Sequence, residues 1–439
     1  MKRSGEVLDV AERTPRSIGA ALRLVRGRVM QKLGALEHGS LIIDDRCDGS
    51  QFVCGATTEP GSGVVVRVFD PSFWTKLAFG GSVGAGESFA AGGWTCSDLS
   101  ACLALLVRNR DALEALDRGT ARAVAPLLAV YHAYRRNSAR GARRNIAAHY
   151  DLGNEFFAAW LDPTMTYSAA LFDDPLRASG DQLEAAQLRK YDRLCQRLEL
   201  RPGDEVCEIG SGWGGMAMHM AGEYGCRVTT TTISRAQAAL TRERIRARGL
   251  SDRIEVLERD YRELADPQVS PSYMGRFDAL VSIEMIEAVG HRYLLAYFAA
   301  CRRLLQPSGR FGLQAITIAD RYFELARKNV DFIQRHIFPG CAIPSLGSLT
   351  KAACAQSDFR IVESVDFGVH YASTLRIWKQ RFLAARQRLE ELGYDLRFRR
   401  AFEFYFAYCE AGFAERQLGL LQMVLEPPSR SRMQSPANA

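Results

Sequence analysis

The sequence predicts an α/β protein whose larger part is a doubly wound parallel sheet with helical insertions, preceded by a small α+β domain. Three observations carry this expectation. Residues 205–217 place a short apolar run (Val206, Cys207, Ile209) directly before Gly210, Gly212, Gly214 and Gly215, the pattern of a buried strand turning tightly into a helix. Further strand-like segments follow near 227–233, 253–258, 277–283 and 309–318 with helical stretches between them, the alternation of a parallel sheet. The first 134 residues lack that alternation and instead show strand-like segments broken by Gly and Pro.

The glycine turn leaves room for a nucleotide-sized ligand across the strand end, because a side chain there would block it. Dinucleotide sites, methyl-donor sites and plain tight turns all use such a turn, so the next strands must choose between them. A nicotinamide site needs Asp or Glu about 20 residues on, but the second strand ends in Thr232, Ile233 and Ser234, followed by Gln237. The third strand does end in an acid, Asp260. That order suits S-adenosylmethionine (SAM) and a class I methyltransferase sheet.

The totals bound the class. At 439 residues and 47% hydrophobic, with 24% charged, the chain can bury a large core in two or three domains. The net charge of +7, from 57 basic and 50 acidic residues, fits either an anionic partner or an ordinary solvated surface. No two of the eleven cysteines are spaced C-x-x-C, so metal fingers are not expected, and the thiols read as reduced core residues of a cytoplasmic protein. No apolar run reaches the 18 or so residues of a membrane span.

Taken in order, Ser17 to Leu36 repeats apolar residues at helical spacing with arginines between, which suits a helix packed on its own domain or one lying on a membrane surface. Strand segments follow at 39–45, 51–55 and 64–69. Asp70-Pro-Ser-Phe-Trp74 opens a helix, and another starts near Ser97-Asp98. The domain expectation is 1–134 for this small unit, 135–145 for a linker, 146–427 for the methyltransferase domain, and 428–439 for a disordered tail. Five arginines lie within the linker (Arg135, Arg136, Arg140, Arg143, Arg144); it is either a plain connection or a patch for lipid headgroups. RNA ranks lower, since no aromatic platform interleaves them.

From Asn145, polar groups (His149, Tyr150, Asn154, Tyr167, Ser168) sit among aromatics, as a lid over a cofactor or a packed hairpin would have them. A helix over 183–198 leads into the sheet. Ligands in such sheets lie outside the carboxyl ends of the strands, which lines up Gly210, Thr232, Asp260, Glu284, Glu287 and Gln314. Glu287 is read as facing the reacting centre, while Glu284 takes no assigned role. A helical insertion from 322 to 337 and the aromatic-rich helices after it serve as core or as walls of an acyl tunnel.

Beyond these readings, the chain resembles the cyclopropane-fatty-acyl-phospholipid synthases and their mycolic-acid relatives. The resemblance rests on His149-Tyr-Asp-Leu-Gly-Asn154, Thr166-Tyr-Ser168, Glu208-Ile-Gly-Ser-Gly-Trp-Gly-Gly215, Thr232-Ile-Ser-Arg-Ala-Gln237, Asp260-Tyr-Arg262, Glu284-Met-Ile-Glu-Ala-Val-Gly290, Ile337-Phe-Pro-Gly340, Tyr371, Trp378 and Cys409-Glu-Ala-Gly-Phe413. It extends to the small domain through Asp70-Pro-Ser-Phe-Trp74 and Gly92-Gly-Trp94. What it implies is attack of a cis double bond of an acyl chain on the sulfonium methyl of SAM, then loss of a proton from the new methyl to a bound bicarbonate. SAM is implied to lie on Tyr167, Ser168, Glu208, Gly210, Gly212, Gly214, Thr232, Ser234, Gln237, Asp260 and Tyr261. The catalytic set carried over is Glu287, Gln314, Ile316, Tyr371 and Cys409.

Two positions depart from the resemblance. Ala169 stands where the family usually has Cys, and Gln314 where its best-known members have His. Gln still donates a hydrogen bond; Ala169 removes a donor worth about 1.5–3 kcal/mol to a charged group, which weakens a bicarbonate site. The expectation is a phospholipid-modifying enzyme making cyclopropane fatty acids, bound peripherally at the cytoplasmic membrane face, with no nucleic acid partner and a homodimer left open. The alternatives are a methyl-branched or methylated-alkene product, or a lipid-binding relative without catalysis.

Overall fold

The computed structural model describes residues 19–55, 63–115, 152–355 and 357–428, and the chain divides into two compact units. The arginine-rich stretch 135–145, His149, Tyr150 and the tail from 429 lie outside the described residues.

The first unit holds a four-stranded sheet. β1 (Ser40–Asp45) pairs antiparallel with β2 (Ser50–Gly55) and parallel with β3 (Val64–Val68), which pairs antiparallel with β4 (Trp94–Cys96). The helix expected near residue 17 runs Ala20–Leu33 and packs on this unit, burying Val29 and Leu33 while Arg26 pairs with Asp45 at 2.9 Å and Asp48 at 2.7 Å. Asp45 is fully buried and also accepts from Trp74 Nε1 at 2.9 Å, so the Asp70–Trp74 motif ties its helix (Ser72–Ala90) to the sheet. Asp98 caps Leu99–Arg108 as expected, accepting from the backbone of Ala101. Residues Leu396–Phe404 also belong to this unit, where Phe404 meets Phe89 and Trp94.

The second unit is built on a seven-stranded sheet in the order β10-β11-β9-β8-β5-β6-β7. β5 (Glu205–Ile209), β6 (Arg227–Thr232), β7 (Ile254–Glu258), β8 (Phe277–Ile283) and β9 (Leu305–Ile318) are parallel. β11 (Leu418–Glu426) runs antiparallel beside β9, and β10 (Arg360–Asp366) antiparallel beside β11. The order reverses at β5, flanked by β6 on one side and β8 on the other, so the crevice for a ligand lies over its carboxyl end.

Alternation along the strands builds two cores. Cys207, Ile209, Leu280, Phe311, Leu313, Ala315, Leu421 and Met423 face one side, against helix Leu294–Leu304; Val206, Val228, Ala279, Val281 and Val424 face the other, against Leu194, Leu198, Met220 and Ile245. By the same period of two, Gln314 and Gln422 share the second face with helix Leu183–Leu198. Two buried amides on neighbouring strands are thereby brought opposite one another. Such groups must find partners, and they do so at the carboxyl edge of the sheet.

The turn after β5 needs glycine at two places. Gly210 adopts φ +96° and a Cβ there would approach Met285 Cγ at 3.0 Å; Gly214 adopts φ +83° and its Cβ would meet Thr241 Cγ2 at 2.7 Å. Gly214→Ala is expected to cost about 1–3 kcal/mol and to lower the thermal midpoint. Gly212→Ala, at φ +50° with nothing within 4 Å, should lower it less; equal losses would contradict the close contact with Thr241.

Candidate active site

At the carboxyl end of β5 the chain turns on Gly210, Gly212 and Gly214 into helix Gly215–Glu223, so the amino terminus of that helix lies at the strand end. The loop after β6 is braced locally: Thr232 Oγ1 donates to Gln237 Oε1 at 2.9 Å and accepts from Ser234 N, while Ser234 Oγ caps the next helix by accepting from Gln237 N. Asp260 lies two residues past the end of β7, where it caps the short helix Tyr261–Leu264, and is held by Arg262, with its Oδ1 accepting from Arg262 N and Nε and its Oδ2 from Nη2. Tyr261 beside it is buried against Tyr297, and Glu208 inside β5 accepts from Thr230 Oγ1 at 2.5 Å. Gly210, Gly212, Gly214, Thr232 and Asp260 therefore lie along one edge. A cradle that a Cβ would fill, a helix amino terminus and polar groups at the next two strand ends suit a nucleoside carrying a sulfonium, so these residues fit SAM.

Over this edge lies an aromatic cover. Trp213 of the glycine turn donates Nε1–H to Asn154 Oδ1 at 2.8 Å and packs tilted against Phe157, with ring centroids 4.8 Å apart. Tyr167 packs among Phe157, Trp160, Phe338 and Trp378, and its hydroxyl meets that of Tyr405 at 2.8 Å. Low water access strengthens every charge interaction beneath such a cover.

Beneath it are two carboxylates three residues apart, after β8. Glu284 Oε1 accepts from Ala169 N at 2.9 Å and from Gln314 Nε2 at 2.8 Å, and Glu284 Oε2 accepts from Tyr371 Oη at 2.7 Å. Glu287 Oε1 accepts from Ile316 N at 2.5 Å, and its Oε2 is buried with no hydrogen-bond partner among the described residues. Gln314 is set by its neighbours. Its Oε1 accepts from Gln422 Nε2 at 2.9 Å, and Gln422 Oε1 in turn accepts from Arg193 Nη1 at 2.6 Å, which turns the Gln314 amide hydrogens toward Glu284.

Lys190 is the third charged group. It is buried in helix Leu183–Leu198, donates from Nζ to Ser168 Oγ at 2.7 Å, and feels the charges of Glu284 and Asp162. Burial pulls its ammonium down to about 7, against the pull of those two carboxylates. Burial also pushes Glu287 up to about 8, with the charge of Glu284 adding to the rise. Glu284 is raised by burial too, but Lys190, Tyr371, Ala169 N and Gln314 all favour its charged form. The pair divides the work by environment: Glu284 is the better-supported anion, and Glu287 the carboxyl that holds a proton near neutrality.

The sequence reading named Glu287, Gln314, Ile316 and Tyr371, and the structure brings all four together. It directs Gln314 and Tyr371 to Glu284, however, and only the Ile316 amide to Glu287. Cys409 lies in helix Leu396–Ala414 near Tyr371 and Tyr405, and burial keeps its thiol neutral. Lys190 was missed, yet a signal existed: it falls in the stripe Ala186, Lys190, Leu194, the buried face of an amphipathic helix. The donors that would hold a free bicarbonate, the Gln314 amide and the Tyr371 hydroxyl, are taken by Glu284. A second anion would also lie against the Glu284 carboxylate, so these residues do not fit bicarbonate.

Similarity to known proteins agrees with the fold. The profile of the mycolic acid cyclopropane synthetase family matches residues 137–423. The chain is 39% identical over 348 residues to tuberculostearic acid methyltransferase UfaA1 of Mycobacterium tuberculosis, covering 79% of each chain. It is 35% identical over 362 residues to the cyclopropane-fatty-acyl-phospholipid synthase of Escherichia coli, covering 82% of this chain and 87% of that one. Among solved structures, the cyclopropane synthase MmaA2 from Mycobacterium tuberculosis superposes with a TM-score of 0.58 at 26% identity, covering 65% of this chain and 98% of that one. Mycolic acid cyclopropane synthase CmaA1, complexed with SAH and CTAB, gives 0.57 at 28% identity and the same coverage.

The raised Glu287 fixes a pH dependence. Between its ordinary value of 4.5 and about 8 the folded protein binds that proton more tightly than the unfolded chain, so stability falls as pH rises through this window. Between pH values of about 5.5 and 7.5, Glu287→Gln should lose less stability than the parent, by up to about 2–3 kcal/mol. Glu208, also raised to about 8 by burial, contributes equally to both proteins. Denaturant unfolding at the two pH values reads the difference, and parallel profiles would contradict the assignment.

Proposed function

Because this chain belongs to the mycolic acid cyclopropane synthetase family of SAM-dependent methyltransferases, we propose that it transfers the SAM methyl carbon to the double bond of an unsaturated acyl chain carried by a phospholipid. The observation that carries this reading is the pair Glu284 and Glu287, buried under aromatic walls at the mouth of the sheet, where a cation formed on an acyl chain meets an anion in the absence of water. SAM supplies an electrophilic methyl group. Gly210, Gly212, Gly214, Thr232, Ser234, Gln237 and Asp260 would hold its nucleoside end, with Tyr167 and Ser168 near the sulfonium. Tyr167, Trp160, Trp378 and Phe338 supply faces that suit both a sulfonium and an acyl cation.

A methylated alkene, in which the added carbon becomes a branch, is the first reading for the product. It is supported by the 39% identity with a relative named for tuberculostearic acid, a methyl-branched acid. Saturating that alkene needs a hydride donor and is no part of this proposal. The ring-closed product that the sequence reading put first remains as a second reading, favoured by the 35% identity with the cyclopropane-fatty-acyl-phospholipid synthase. For access to the lipid, the proposal is peripheral contact with the cytoplasmic membrane face through Arg135, Arg136, Arg140, Arg143 and Arg144, each worth about 1 kcal/mol at an anionic surface. No helix among the described residues is long and apolar enough to cross a membrane.

The test is the fatty-acid methyl-ester profile of a bacterium lacking its own cyclopropane synthase and expressing this chain. The expected product is one methylene unit heavier than a resident monounsaturated acid, with the alkene retained. Loss of the alkene would favour the ring, and no new species would contradict the acyl substrate. Replacing the five arginines should abolish binding of the purified protein to anionic vesicles; unchanged binding would place the contact elsewhere.

A further inference from the structure

We infer that the Glu284 carboxylate is this active site's own anion, standing where the resemblance implies a free bicarbonate and receiving the proton released from the newly added carbon. The inference deepens the reading of acyl methylation and rests on it for the reaction.

Three independent observations converge on this side chain. The first is its set of donors. The Ala169 amide, the Gln314 side chain and the Tyr371 hydroxyl, from three separate elements, all aim at the two oxygens of Glu284 at 2.7–2.9 Å. Convergent donors of this kind define an anion site, and here a residue of the chain fills it. The second is backbone conformation. Glu284 has φ +50°, in the left-handed region where a non-glycine residue costs about 1–2 kcal/mol. Its amide donates to Gln314 O at 2.8 Å, which pins the strained residue to β9. The third is the supporting shell. Gln422 and Arg193 orient Gln314, and Lys190 balances the charge from the side of Ser168. Ala169 now has a reason: Glu284 takes its backbone N–H, so no side-chain donor is needed there.

The step balances without another reactant. The π pair of the acyl double bond forms the new carbon–carbon bond as the carbon–sulfur bond breaks, its electrons leaving with sulfur, and a cation remains on the chain. Glu284 takes a proton from the added carbon. The freed C–H pair either closes a three-membered ring or, after a hydride shift along the chain, forms a double bond to the added carbon. The proton then leaves Glu284 for solvent. Glu287 receives a single donor, the Ile316 amide, and burial together with the charge of Glu284 favours its protonated form, which leaves Glu284, with its three convergent donors, as the acceptor.

The test uses the full chain. In the first arm, the SAH-loaded protein is titrated with carbon-13 bicarbonate and binding is read by NMR. The parent should bind none, whereas Glu284→Gly, which empties the site and relieves the left-handed strain, should bind it. Binding by the parent would overturn the inference whatever the substrate proves to be. In the second arm, SAM and vesicles of dioleoyl phosphatidylglycerol are supplied in carbon dioxide-free buffer. The parent should turn over as fast as in bicarbonate buffer. Glu284→Gln should lose about 10²–10⁴ of product formation with SAM affinity kept within about two-fold, and Glu284→Gly should regain turnover when bicarbonate is added. A bicarbonate requirement in the parent, or full activity in Glu284→Gln, would overturn the inference. Absence of product from the parent alone would instead contradict the acyl substrate, and the first arm would still decide the anion.

Discussion

The constraint on which this active site depends is electrostatic: two carboxylates, Glu284 and Glu287, leave one strand end and sit together away from water. An isolated buried carboxylate is costly, and two are tolerated only when one is heavily solvated by the protein or one is protonated. Here both occur. Glu284 collects three hydrogen bonds and the field of Lys190, and burial beside Glu284 pushes Glu287 up to about 8, toward its protonated form. The charge of such a site favours a cationic guest. The same charges would disfavour an anionic one.

The sheet makes this arrangement available. Parallel β5, β8 and β9 end on one edge, so residues far apart in sequence share one crevice. The antiparallel β11 beside β9 then sets Gln422 directly against Gln314, and helix Leu183–Leu198 lays Arg193 and Lys190 on the same face. A polar line thus runs from the Arg193–Glu363 ion pair at the margin through two buried amides to the reacting carboxylate. Each member is satisfied by the next, which is how buried polar groups keep one orientation.

Much of this was legible in the sequence. The strand-to-helix turn at Gly210–Gly215, the five parallel strands and the Asp98 cap each follow from local patterns, because burial on both faces of a sheet forces apolar runs and tight turns force glycine. The polar residues at the strand ends were legible for the same reason. What could not be read were pairings. β10 alternates like any half-exposed strand, β11 follows a long helix, and nothing local says that β11 adds antiparallel to β9 and β10 antiparallel to β11. The role of Glu284 escaped for a similar reason: its three donors come from residues 169, 314 and 371, and only the folded chain assembles them. Leu396–Phe404 joins the first unit although it lies late in the sequence, a long-range association with no local signature.

The most direct measurement of the account is product analysis with SAM bearing a trideuterated methyl group. If Glu284 accepts a proton from the added carbon, the isolated acyl product keeps two of the three deuterium atoms, whether that carbon ends in a ring or in a methylated alkene. Retention of all three would show that the cation is discharged by losing a proton from elsewhere on the chain, and would contradict the role given to this carboxylate.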